Sequence, residues 1–203
     1  MLNLKRLLVL LVFFTFGSQV QASLINGDFS SGFSSWQGEV TDIFYTTDSD
    51  IDPLPSSYVN NFDVSSGAAV LTTSTLIDDI FSVFLYQSFV VDTVAANEQL
   101  ILSYDISASL SDVGFGDTAF AQLNYGTSFL QTIDLLSTSS VDISFLSGQT
   151  VELLFGVEDF DDVDDQLVVD NIAVSVNPVS VPGVLLLLLA GMSGLVVANK
   201  KRS

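Results

Sequence analysis

The sequence predicts an all-β domain, a two-sheet β-sandwich, set between two terminal address segments. The clearest observation is a period of two. Leu100, Leu102, Tyr104, Ile106, Ala108 and Leu110 are apolar at every second position, with Ser103, Asp105, Ser107 and Ser109 between them. That is the pattern of a half-buried strand. Short β-prone segments recur from Gly67 to Val176 without any sustained helical period or internal repeat. Charge is also partitioned. The five Lys and Arg lie near the two ends, and all 24 Asp and Glu lie between Asp28 and Asp170.

Taken in order, Leu24-Ile25 opens a strand and Asn26-Gly27 supplies a turn. Phe29, Phe33 and Trp36 then offer large groups to bury, Trp36 as part of the core. Gln37 to Ser66, with Pro53 and Pro55, reads as a long polar loop carrying one short strand near Ile43 to Tyr45. Ala68 to Thr73 and Phe81 to Val91 precede the alternating strand at Leu100. Ala119 to Tyr125 and Phe129 to Leu135 form a pair joined across Gly126. Val141, Ile143 and Phe145 alternate with polar residues, as do Val151, Leu153, Phe155 and Val157, and Leu167 to Val176 is the last strand. About eight strands at this spacing, without helices, indicate a sandwich.

The ends are addresses. Met1 to Ala22 has Lys5 and Arg6, an apolar core from Leu7 to Phe16 and the small-residue exit Val20-Gln21-Ala22, the form of a secretory signal peptide cut before Ser23. At the other end, residues 178–203 combine Val181-Pro182-Gly183, an apolar span over 182–198 and the basic end Lys200, Lys201 and Arg202. The span is about the minimum length for a transmembrane helix, with its basic end held on the cytoplasmic side. The working domain is therefore residues 23–177, and it contains no Lys, Arg, His or Cys. Its counterions must come from solvent, a bound metal or a basic partner. Nucleic acid is a poor partner for such a surface.

Two resemblances follow from these residues. The tail resembles the PEP-CTERM sorting signal of Gram-negative bacteria, which pairs a proline-containing motif with a leucine-rich span and a basic end. It departs in having one proline and no glutamate in Val181-Pro182-Gly183. The resemblance implies recognition by an exosortase-type membrane protease and export to the cell surface or extracellular polysaccharide matrix. A plain C-terminal membrane anchor is the other reading of the same residues. The segment NGDFSSGFSSW, with Leu167-Val168-Val169-Asp170-Asn171-Ile172 and the pair YQSFVV and LILSYDISA, resembles the framework of the carbohydrate-binding-module jelly roll, the galactose-binding-like fold.

The candidate sites differ in their chemistry. Without His, Cys or Lys, only carboxylates remain for acid–base work, and Asp117-Thr118-Ala119 is a single copy without a fitting context for an aspartic protease. Asp48-x-Asp50-x-Asp52 has calcium-loop spacing, but Pro53 and Val59 stand where glycine and the closing glutamate belong. Glu158 to Asp165 is acidic except at Phe160 and Val163, and is either a loose cation site or a solvated loop. Asp170 shares its parity with Val168, Ile172, Val174 and Val176 and is expected to face the core, where an ionised carboxylate needs a partner. The jelly-roll resemblance implies a structural calcium there, held by Asp170 with Asp28. For sugar binding, Tyr45 and Tyr58 flank the acidic loop and are preferred to Trp36 and Tyr86. The expected role is non-catalytic, with polysaccharide as a possible ligand. The alternatives are a secreted polysaccharide-active enzyme using paired carboxylates and a calcium-dependent protein adhesin.

Overall fold

Alternation in the sequence becomes two pleated sheets packed face to face. The structure, a computed structural model, describes residues 24–53, 57–73, 80–111, 116–160 and 163–179; the N-terminal address segment and residues 180–203 of the C-terminal one lie outside them. The strands among the described residues are β1 (Gln37–Asp42), β2 (Thr47–Ile51), β3 (Phe62–Ser65), β4 (Ala68–Thr72), β5 (Ile80–Val90), β6 (Glu98–Ser109), β7 (Thr118–Tyr125), β8 (Gln131–Asp134), β9 (Ser140–Asp142), β10 (Thr150–Glu158) and β11 (Gln166–Pro178). One sheet has the order β2-β1-β5-β10-β7-β8 and the other β3-β4-β11-β6-β9. All the strand pairs are antiparallel. Val83, Leu85, Leu153 and Phe155 of the first sheet meet Leu100, Leu102, Leu167 and Val169 of the second in a core without solvent exposure. Removal of that apolar surface from water is the main term holding the sheets together.

Four expectations need correction. The segment read as a long loop holds β1, β2 and β3. Its alternation was hidden because the inward place beside Val40 is filled by Gly38, whose missing side chain leaves room for the Phe62 ring. Second, Ile43 to Tyr45 is the turn between β1 and β2. Asp42 Oδ1 accepts from the amides of Phe44 (2.9 Å) and Thr46 (2.8 Å), and that local bonding displaces a strand ladder. Third, Leu24-Ile25 is not a strand. The Gln87 side chain takes the ladder's place: its Oε1 accepts from Ile25 N at 2.9 Å and its Nε2 donates to Ile25 O at 3.0 Å.

The fourth correction concerns Asp170. Leu167 and Val169 are the buried residues of the first half of β11, so Val168 and Asp170 occupy the opposite face. Then the register with β6 shifts between Asp170 and Ala173, and Asn171 takes φ 54°. This bulge flips the parity, so Ile172 is buried although Asp170 is not. A period-two count cannot see an extra residue in a strand.

Candidate functional site

The outer face of the six-stranded sheet carries an aromatic surface edged with carboxylates. On β5, Val83, Leu85 and Phe89 point to the core, which leaves Phe84, Tyr86 and Ser88 on the other side. Register sets their neighbours. Phe84 stands opposite Glu39 on one side and Gly156 on the other, and Gly156 stands opposite Phe120. The next row is Gln37, Tyr86, Leu154 and Gln122, followed by Ser88, Glu152 and Asn124. A β-carbon at position 156 would overlap the Phe84 ring, so glycine there lets the ring lie against the sheet. Phe84 and Phe120 are 5.9 Å apart between ring centroids.

A hollow of about 450 Å³ opens beside these rings, lined by Glu39, Ser49, Asp50, Phe84, Tyr86, Glu152 and Leu154. Its polar groups are partly fixed. The Tyr86 hydroxyl donates to Asp50 Oδ1 at 2.6 Å and accepts from Asp50 N at 3.0 Å. Burial, with the hydrogen-bonded Asp50 carboxylate, pushes the Tyr86 hydroxyl up to about 12. Burial and then the Asp50 charge also raise Glu39 above the usual carboxylate range. Glu152 accepts from Asn124 Nδ2 at 3.3 Å, and Asn124 Oδ1 accepts from Thr132 Oγ1 at 2.9 Å. The surface therefore offers flat apolar area and several acceptors, and no cationic side chain, since none exists between Arg6 and Lys200.

A second constellation lies at one end of the sandwich. There β4, β6 and β10 end and the chain crosses to the other sheet, so residues from three distant crossings converge. Asp117, Asp159 and Asp165 each place one carboxylate oxygen within 4.8 Å of the others, and all three side chains are buried. Asp117 Oδ1 accepts from Phe160 N at 2.8 Å and its Oδ2 from Ser111 Oγ at 3.1 Å. Asp159 Oδ2 accepts from Thr73 Oγ1 at 3.3 Å. Asp165 Oδ1 accepts from Ser111 N at 2.6 Å, while its Oδ2 is buried with no hydrogen-bond partner. Burial raises Asp165 above the usual carboxylate range, against the Ser111 hydrogen bonds and with added repulsion from Asp117 and Asp159.

The residues singled out from the sequence are distributed differently. Asp28 is exposed and bonded by Ser30 N (3.2 Å) and Ser30 Oγ (2.9 Å), which lower its carboxyl. It borders a hollow with Gly27, Ile172 and Ala173; Asp170 does not line that hollow. Neither belongs to the three-carboxylate group. Tyr45 is 77% exposed on the β1–β2 turn and rests against Phe81, with ring centroids 5.8 Å apart. Tyr58 donates its hydroxyl to Asp48 Oδ2 at 3.0 Å. Neither tyrosine lines the hollow beside Phe84, whereas Tyr86 does. Trp36 is core, as expected, with Nε1 donating to Asn26 O at 3.1 Å. Val181, Pro182, Gly183, Lys200, Lys201 and Arg202 lie outside the described residues.

No family model matches the chain, and no curated protein matches it. Among solved structures it is similar to one described as "CBM4 structure and function", with 16% identity over 73% of this chain and 99% of that one, and a TM-score of 0.41. It is also similar to TmCBM61 in complex with β-1,4-galactotriose, with 13% identity over 78% of this chain and 99% of that one, and a TM-score of 0.43. The fold shown by the sheets themselves is an all-β, two-sheet sandwich.

Proposed function

We propose that this is an exported, non-catalytic polysaccharide-binding protein whose ligand lies across the outer face of the six-stranded sheet. The observation that carries the reading is the Phe84 ring accommodated over Gly156 beside Phe120, with Tyr86, Glu39 and Glu152 around it. Flat rings cover the apolar face of a sugar, and fixed acceptors receive its hydroxyls. The charge narrows the ligand class. With acidic groups at the rim and no basic side chain in the domain, a neutral polysaccharide is favoured over one bearing uronate or sulfate. The terminal segments extend the proposal to export and to handling of the tail by an exosortase-type membrane protease.

The test is affinity electrophoresis of the mature protein in gels containing neutral or acidic polysaccharides. Retardation is expected in at least one neutral gel and in no acidic one. Phe84→Ala should weaken it about tenfold, the loss of roughly 1.4 kcal/mol. Equal retardation of wild type and Phe84→Ala would remove the reading. Release of reducing ends, abolished by Glu39→Gln or Glu152→Gln, would favour the paired-carboxylate enzyme instead.

A further inference from the structure

We propose that Asp117, Asp159 and Asp165 hold a single calcium ion where the three sheet-to-sheet crossings meet. This site is separate from the Phe84 face and does not rest on the polysaccharide reading. Three carboxylates share one pocket: their side chains are 3%, 4% and 0% exposed, and an oxygen of each lies within 4.8 Å of the other two. Gathering like charges out of water is costly unless something of opposite sign accompanies them. No protein group of this domain can do so, because every Lys and Arg of the chain lies in the terminal segments and His is absent.

The acid cluster alone would not identify a ligand. The second observation is Asp165 Oδ2, which is fully buried and accepts no hydrogen bond. Its sister oxygen is held by Ser111 N at 2.6 Å, so the carboxyl is fixed in orientation with one acceptor left over. A buried acceptor without a donor is destabilising, and coordination to a cation removes that cost. The surrounding ligand supply suits a hard ion. Thr73 Oγ1 donates to the Asp159 carboxylate and Ser111 Oγ to that of Asp117, so neutral oxygens adjoin the charged ones.

Calcium fits better than magnesium. Calcium takes six to eight oxygens at about 2.3–2.6 Å in flexible geometry, which suits a cage built from carboxylate and hydroxyl oxygens of the protein. Magnesium requires a tighter octahedron at about 2.1 Å and retains several waters. Bound calcium would join Asp117 to the Asp159–Asp165 crossing, and so tie β7 to β10 and β11 through their loops.

The experiment uses the mature protein from its native host, stripped by chelator and titrated with calcium by calorimetry at about 0.15 M monovalent salt, where exposed charges are screened. A saturable site with a stoichiometry of one is expected. Asp165→Asn and Asp117→Asn should each weaken it at least tenfold, and Asp170→Asn should leave it unchanged. Should a variant fail to fold, thermal unfolding of the stripped wild type decides: calcium should raise the melting temperature by several degrees more than equal magnesium. Absence of a saturable calcium heat, equal shifts with the two ions, or unchanged affinity in a folded Asp165→Asn would each overturn the site. Loss of binding in Asp170→Asn alone would place calcium elsewhere and overturn it as well.

Discussion

Asp170 and Asp105 stand directly opposite each other on β11 and β6, and the side-chain amide of Asn171 bridges them. Asn171 Nδ2 donates to Asp105 Oδ2 at 2.8 Å and to Asp170 Oδ2 at 3.2 Å, and Asn171 N donates to Asp170 Oδ1 at 2.6 Å. Two like charges across a strand pair repel. The bulge residue supplies the donors that hold them, in a left-handed conformation that asparagine tolerates better than most residues.

Asn171 is therefore expected to be sensitive in two separable ways. Asn171→Gly keeps the backbone conformation and loses the bridge, a cost of about 1 kcal/mol. Asn171→Val loses the bridge and also strains the backbone, for a total of about 2–3 kcal/mol. Urea unfolding measures both. If Val is no worse than Gly, the left-handed bulge is not what holds the end of β11.

A pH prediction comes from Glu39, whose carboxyl is raised by burial and the Asp50 charge. A carboxyl raised in the folded state favours the folded protein when protonated. Its contribution is present below the unfolded value near 4.5 and is lost as pH rises through the folded value. At pH ~7, Glu39→Gln should therefore be more stable than wild type by only a few tenths of a kcal/mol, since solvent screens this partly exposed site. The gap should close once the pH is below about 4.5. Thermal unfolding of both proteins in chelator at the two pH values checks it; a gap that persists in acid would mean that charge is not its origin.

The tail makes a prediction about processing. On the proposed sorting reading, replacing Lys200, Lys201 and Arg202 with Gln should block maturation or mislocalise the protein, because a basic end orients a span of that kind. Intact-mass measurement of the mature protein from its host decides. A wild-type product that still carries residues 184–203 would favour a permanent anchor over a sorting signal.

Much of the sandwich was legible because a strand half buried in a sheet must alternate. β6 and β10 are legible for that reason and β5, β7 and β11 from their β-prone composition, all within a residue or two of their ends. β1 and β2 were missed because Gly38 fills an inward position and the edge strand TDSDI buries almost nothing. The sequence favours Tyr45 and Tyr58 over Tyr86 because nearness to an acidic run is a property of sequence, whereas the aromatic face is built from neighbours on β1, β5, β7 and β10.

By itself the sequence determined that the domain is all-β, that it carries no positive side chain, and that its termini have the form of addresses. These follow from local periodicity and composition, which need no partner in space. Only the tertiary structure decided which acids meet. Asp117 stands in a triplet whose spacing suggests only a misplaced aspartic-protease motif, and Asp159 and Asp165 are two among a run of carboxylates. Burial selects them, because β4, β6 and β10 end, and β7 and β11 begin, at the same end of the sandwich. The structure likewise turned Asp170 away from the core, through an extra residue at the β11 bulge that no count of alternate positions contains.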